Sequence, residues 1–346
     1  MPPSSYFQQW PEFPSNVPVA NMSRISFKNL QSNNSNESAR LFDACRDQGH
    51  FLLDLKDSND GETLSSEAGS MMDVGRETLD LDRQILDTFM YKPPKRMVGY
   101  KPSRTLQTPD GRIDSVEFFA ISQDDAVGNK QPLTNPQPVE HDRDNIKSFF
   151  EHAHGALDLI HSHLDMSMGL APGTLEALSS INKTSDTSIR MLCTRPKSVK
   201  EEFVTLNNHT DIGSITLLFT VCGGLQVLGA GIENIEANWK YVRPEPGCVI
   251  VLIGDTMVEW TAGAVRASIH RVVTAPGKQA AATRLGLGYF LRPSHSARMS
   301  RLVSYNGTIP MLAPGEVGDE RGVTEWAQWK ANGDVAAAVE AAGKGK

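Results

Sequence analysis

No stretch of the chain comes near the roughly 20 consecutive apolar residues that a membrane-spanning helix needs, which argues against a membrane protein. Positive charge is in deficit: Asp and Glu number 41 against 34 Lys and Arg, for a net charge of −7. A chain of that sign repels a phosphate backbone, so nucleic acid is not the expected partner. Cysteine is scarce, at four residues, and no pair has CxxC spacing. Cys45, Cys193, Cys222 and Cys248 sit in apolar or strand-like runs and read as buried free thiols. The opening segment MPPSSYFQQWPEFPSNVPVA has neither the basic start nor the apolar core of a secretory signal. A reducing, cytoplasmic setting is therefore expected, in which sequons such as that at residues 182–184 stay unglycosylated. No internal repeat is visible. What remains is ordinary for a globular protein, 39% hydrophobic and 22% charged.

Two short strings stand out, NNHTDIGSITLLF and RASIHRVV, which contain His209, Asp211 and His270. Two imidazoles and one carboxylate make the facial triad of non-haem Fe(II) sites, which leaves one side of an octahedral ion open. Side chains at i and i+2 of an extended segment point the same way. His209 and Asp211 can then reach one ion, and a distant strand must bring the third ligand. The bare HxD spacing is a weak signal, because His163 and Asp165 spell it too. That second copy lies in a run whose apolar residues, Ile146, Phe149, Phe150, Ala153, Leu157, Ile160 and Leu164, have helical spacing. Residues two apart on a helix point roughly 200° apart, so this pair cannot chelate one ion. The pairs His152/His154 and His161/His163 fail for the same reason, and all four histidines are read as solvated or boundary residues of an amphipathic helix. The first copy is followed instead by Gly213 and the β-branched run SITLLFTV, a strand signal, and His270 sits in a similar run. Ordinary sheet histidines with satisfied hydrogen bonds would show the same spacing.

Arg284 decides between those readings. It opens a stretch in which Leu285, Leu287, Tyr289 and Leu291 alternate with Gly286, Gly288 and Phe290. An arginine at the start of a buried strand needs an anion, because an unpaired buried charge is costly. Its fork fits a carboxylate in bidentate fashion. That carboxylate is either one of the chain's own acids or, beside an iron triad, a dicarboxylate cosubstrate.

In order, these strings resemble the 2-oxoglutarate and Fe(II)-dependent dioxygenase family, in its plant and fungal soluble, isopenicillin N synthase-like branch. HTDIGSITLLF is followed by GGLQVL at 223–228, by a W-x-x-V-x-P-x-x-G segment at 239–247, by IGD at 253–255, WTAG at 260–263 and HRVV at 270–273, and then by Arg284. Upstream, LFDACRDQGHFLLDL at 41–55, VGYKPS at 98–103 and DSVEFFAIS at 114–122 are similar to further family segments. The resemblance covers roughly residues 22 to 300. There are two departures. The family's Arg-x-Ser pair, which grips the far carboxylate of 2-oxoglutarate, is here Arg284 with Gly286 in place of the serine. The family's Arg-x-Asn-x-Tyr segment is here Arg190-Met191-Leu192-Cys193-Thr194, without the asparagine and tyrosine.

The resemblance implies a mainly β fold with flanking helices: a double-stranded β-helix, the cupin-like jelly roll, under an N-terminal helical cover. It implies Fe(II) held by His209, Asp211 and His270, with 2-oxoglutarate as cosubstrate at Arg284 and Gly286. With O2, such a site oxidises a C–H bond of a small organic molecule by hydroxylation, desaturation or ring rearrangement. By analogy with the branch, the substrate is a natural product. The substrate-pocket candidates are Arg190, Phe119 and Phe203. Arg190 lies on an apolar strand, with Ile189 and Met191 turned to the opposite face. It either anchors an acidic or oxygen-rich substrate or makes a structural ion pair. Two other functions fit parts of the pattern: an oxidase on the same fold that does without 2-oxoglutarate, and a non-catalytic metal-binding barrel.

Along the chain, a strand is expected near residues 25–27 and helices over 37–48, 65–91, 144–168 and 172–180. Loops over 104–135 should border the pocket mouth, and short strands should dominate from 189. The expected division is an N-terminal region over 1–185, a barrel core over 186–300, and a C-terminal helix near 323–329 within a segment 301–346 whose Ala-rich end frays.

Overall fold

The computed structural model describes residues 10–93, 96–105, 115–196 and 204–343. Among the described residues the strands are β1 (Arg24–Ser26), β2 (His50–Asp54), β3 (Gly99–Lys101), β4 (Glu117–Ser122), β5 (Ser188–Thr194), β6 (Val204–His209), β7 (Ile215–Thr220), β8 (Leu225–Val227), β9 (Lys240–Tyr241), β10 (Cys248–Ile253), β11 (His270–Val273) and β12 (Arg284–Leu291). They form an eight-stranded sheet in the order β1-β2-β10-β7-β12-β5-β4-β3 and a four-stranded sheet in the order β6-β11-β8-β9. Leu52, Leu218, Ile250 and Leu252 of the large sheet meet Leu225, Val227 and Val272 of the small one in a core of their own. Two sheets facing across such a core make the jelly roll.

Period-two patterning gives the large sheet two faces. Ile189 and Met191 of β5, Leu217 and Phe219 of β7, and Leu285, Leu287 and Tyr289 of β12 point away from the small sheet into a second, larger core. Helices complete that core: α1 (Ser35–Asp47), α2 (Asn59–Leu79) and α3 (Arg143–Met168). The side chain of Asn34 caps α1, Ser58 caps α2, and α3 stops at Gly169 in the left-handed region at φ 65°. The ring of Tyr289 lies edge-on to Phe149 and Phe150 of α3, which ties β12 to the helical layer.

Several boundaries differ from the sequence reading, each for a local reason. Strand β1 ends at Ser26 because the Ser26 hydroxyl accepts from Asn29 N–H and starts a short helix, Phe27–Gln31. The helix expected over 65–91 starts earlier, at the Ser58 cap, and stops at Leu79, with a separate turn of helix over Arg83–Leu86. Helix α4 (Val323–Gly343) runs on through the Ala-rich segment expected to fray, in keeping with alanine's helix propensity. Strands β1 to β4, from the region expected over 1–185, all pair into the large sheet. No helix among the described residues is long and apolar enough to cross a membrane.

The histidines of α3 need a larger correction. Only His152 is exposed, beside Glu67 at 2.9 Å. His154, His161 and His163 are at most 1% exposed. Helices α1 and α2 and strand β12 surround α3 on more than one side, so its buried face is wider than the apolar stripe suggests. His163 Nε2–H donates to the Leu30 carbonyl at 3.0 Å, and Nδ1 meets the Ser38 hydroxyl at 2.8 Å. Asp165 turns instead to accept from Leu175 N–H. The helical HxD pair therefore diverges as its geometry requires, although both residues are buried.

His161 has no hydrogen-bond partner for either ring nitrogen among the described residues. Burial, with His154 beside it, pushes its pKa down to about 3. The unfolded chain takes up this proton near pH 6.5 and the folded chain refuses it, so stability is lost as pH falls below about 6.5. His161→Leu removes that loss. The stability advantage of the variant should grow between about pH 6.5 and pH 4.5 by up to about 1.4 kcal/mol per pH unit. Urea unfolding of both proteins checks this, and a pH-independent difference would contradict it.

Candidate active site

His209 ends β6 and His270 begins β11, and the two residues are directly paired across the small sheet. Their rings are 4.3 Å apart, centroid to centroid. Asp211 follows β6 by two residues, and its Oδ1 is 3.8 Å from His209 Nε2. Among the described residues these three form the only group of His, Cys, Asp or Glu whose ligand atoms lie within 4.8 Å of one another.

Neighbouring groups fix which atoms are free. His209 Nδ1–H donates to the Asn207 carbonyl at 2.8 Å, and His270 Nδ1–H donates to the Ser268 carbonyl at 3.0 Å. Both Nε2 lone pairs are thus left available. The Thr216 hydroxyl donates to Asp211 Oδ2 at 2.6 Å, which leaves Oδ1 for the centre. Such outer hydrogen bonds hold metal ligands in orientation and tautomer. Burial, and then His270, push His209 down to about 4, so its ring is neutral as a ligand must be. Burial opposes ionisation of Asp211, but the two imidazoles and Thr216 outweigh it and its pKa falls below the usual value.

Arg284, at the first position of β12, is 5% exposed. Its Nε–H donates to the Gly223 carbonyl at 3.0 Å, and no carboxylate among the described residues pairs with it. Burial lowers its pKa, with Cys222 opposing. The Gly223–Gly224 turn wraps this side chain. Gly224 has φ +108°, and a Cβ there would meet the Val273 carbonyl oxygen at 2.7 Å, so glycine is needed for the wrap. Directly across from Arg284 on β5 is Thr194, whose hydroxyl is buried and has no partner among the described residues. A cation and an orphaned hydroxyl side by side suit a carboxylate.

The triad and Arg284 line one cavity of about 190 Å³, together with Lys101, Phe118, Arg190 and Phe290 and an apolar wall that includes Leu218 and Leu252. Arg190 thus faces the cavity and makes no ion pair among the described residues; it lies instead between Phe118 and Phe290. Gly286 offers no side chain, and the nearest atom to a Cβ there would be the Phe219 carbonyl oxygen at 3.5 Å. Phe119 is a correction. It is fully buried in the helical core, against Phe89, and its neighbour Phe118 lines the cavity instead. Strand parity puts adjacent aromatics on opposite faces. Phe203 lies outside the described residues. The sequence reading also missed Thr194, Thr216 and Lys101. For the two threonines the signal was present: each shares strand parity with a site residue or an apolar neighbour facing the small sheet.

The 2OG-Fe(II) oxygenase superfamily matches the chain over residues 186–293. A 2-oxoglutarate-dependent dioxygenase of Amanita muscaria is 30% identical over 165 residues, which cover 48% of this chain and 76% of that protein. This chain belongs to the 2-oxoglutarate and Fe(II)-dependent oxygenase superfamily. A longer match, 24% identical over 322 residues, is to a 2-oxoglutarate-dependent dioxygenase of Aspergillus fumigatus and covers 87% of this chain and 82% of that one. The crystal structure of a full-length Neurospora crassa protein in complex with alpha-KG shares the fold at TM-score 0.72 and 18% identity, over 92% of this chain and 99% of that one. The chain is accordingly an oxidoreductase, a 2-oxoglutarate-dependent oxygenase that uses Fe(II) on a small organic molecule.

Because the Thr216 hydroxyl holds Asp211, Thr216→Val should weaken Mn(II) or Fe(II) binding by roughly tenfold and leave the fold intact. Metal titration together with a far-ultraviolet dichroism spectrum checks it; unchanged affinity would show that Asp211 needs no such restraint.

Proposed function

We propose that His209, Asp211 and His270 hold the Fe(II), and that Arg284 and Thr194 together grip the far carboxylate of 2-oxoglutarate. The observation that carries this reading is Arg284: a buried guanidinium without a carboxylate, in the same cavity as the triad. The residues fit the absent groups in kind. Two neutral imidazoles and an ionised carboxylate, each with one atom free, suit Fe(II). The orphaned Thr194 hydroxyl takes over the hydrogen bond that a serine at the Gly286 position would have made.

When bound, iron, 2-oxoglutarate and O2 supply the oxidising equivalents for attack on a C–H bond, and the cosubstrate leaves as succinate and CO2. The chain's own part is placement and exclusion. Arg284 and Thr194 set the depth at which the cosubstrate sits. Leu218, Leu252 and Val272 line the cavity with apolar surface and exclude water from it. The strand-held imidazoles, with Asp211, would hold the metal at the wall of that space. Hydroxylation, desaturation and ring rearrangement all lie within this chemistry. We take natural-product tailoring in a reducing cytoplasm as the setting. The fungal relatives of similar length and the free thiols of Cys45, Cys193, Cys222 and Cys248 support it. An oxidase that dispenses with 2-oxoglutarate would leave Arg284 buried without an anion, at a cost of several kcal/mol.

His209→Ala, Asp211→Ala and His270→Ala should each abolish high-affinity Fe(II) binding, whereas His163→Ala, remote on α3, should keep it. Loss of metal in a His163→Ala protein whose far-ultraviolet dichroism is that of the wild type would overturn the choice of triad. Thr194→Val deletes one hydroxyl bond to a charged group, so it should raise the Kd for 2-oxoglutarate by about tenfold. Calorimetry with the metal bound measures it, and an unchanged Kd would remove Thr194 from the grip.

A further inference from the structure

Arg190 is placed with unusual care for a residue that makes no ion pair. Its cross-strand neighbours are Ala120 on β4 and Gly288 on β12, the two smallest side chains available. One diagonal step further on the same strands, Phe118 and Phe290 close over it, with ring centroids 5.1 and 4.7 Å from the guanidinium carbon. Gly288 makes this possible, since a Cβ there would come within 2.6 Å of the Phe290 ring. With a ring on either strand lying against the guanidinium carbon, the N–H edge is what remains for a partner. That edge is unmet, for the buried Nε has no hydrogen-bond partner among the described residues. A planar edge of N–H donors matches a carboxylate.

The charges agree. A divalent metal and Arg284 carry three positive charges, and Asp211 and the dianionic 2-oxoglutarate carry three negative ones. The assembled centre is therefore neutral, and Arg190 is left over as a cation facing the same cavity. Lys101, whose ammonium donates to the Val116 carbonyl at 2.9 Å, lines the same wall. Arg292, nearby, has Asp186 to offset it. The rest of the wall is apolar, with Leu206, Leu218, Leu225 and Leu252.

We propose that the cavity takes an apolar organic acid carrying one carboxylate, bound edge-on by Arg190 between Phe118 and Phe290, with its hydrocarbon part turned to the triad. This rests on the iron and 2-oxoglutarate reading, which supplies the charge balance. Neutral substrates of the same shape leave a desolvated guanidinium unpaired and bind poorly.

The test uses the full chain with Mn(II) and 2-oxoglutarate both saturating, so that the Arg284 site is filled. Benzoate, cinnamate and 1-naphthoate are each titrated beside the matching neutral amide. At least one acid should bind about tenfold or more tightly than its amide. Arg190→Met should abolish that preference while 2-oxoglutarate affinity stays as in the wild type, and Arg190→Lys should keep part of it. The proposal is overturned if no acid is preferred over its amide in the wild type, a comparison that needs no variant, or if the preference survives in Arg190→Met. Failure of 2-oxoglutarate itself to bind in the same cell overturns the cofactor reading, and with it the charge count, and is recorded separately.

Discussion

The large sheet is covered on both faces, by helices on one side and by the small sheet on the other. A charged side chain on the inner face of such a sheet has little access to water, and desolvating a charge without pairing it is among the costliest things a fold can do. Arg284 and Arg190 both stand on the inner face and neither has a carboxylate on the chain among the described residues. The cavity they share is thus suited to anions brought from outside. One cation sits deep, beside an orphaned hydroxyl, and suits a cosubstrate. The other is framed by two aromatic rings and suits a substrate.

The small sheet answers a different demand. Its strands bring His209 and His270 face to face, and its backbone carbonyls at Asn207 and Ser268 orient the rings. The orientation of two ligands is therefore set by main chain, which is harder to perturb than side-chain contacts. Asp211 stands just past the strand and depends on Thr216 from the large sheet. The triad is in this sense a joint between the two sheets, and changes in their separation would be felt first at Asp211.

Much of this was legible in the sequence. The strand setting of His209-x-Asp211 distinguished it from the helical copy at His163, because the period of a strand brings i and i+2 together and that of a helix separates them. Arg284 was legible as a charge on an alternating apolar strand. What failed were judgements of parity and of depth. In Glu117-Phe118-Phe119 no pattern says which ring faces the cavity, and the order of the cross-strand partners decides it. The histidines of α3 were misjudged because the width of a helix's buried face depends on how many elements surround it, which is a property of the tertiary fold. Thr194 could not be read as a replacement for a lost serine, because only strand pairing brings it opposite Arg284.

The central claim is that Arg284 is a cation waiting for the far carboxylate of 2-oxoglutarate. The most direct measurement is an anaerobic titration of the Fe(II)-loaded protein with 2-oxoglutarate, followed by the weak visible charge-transfer band of the chelated keto acid. The wild type should develop the band and saturate at one equivalent per chain. Arg284→Met, which loses a charge-assisted pair of about 2–5 kcal/mol, should need well over tenfold more cosubstrate. Absence of the band in the wild type, or equal affinity in the two proteins, would contradict the account.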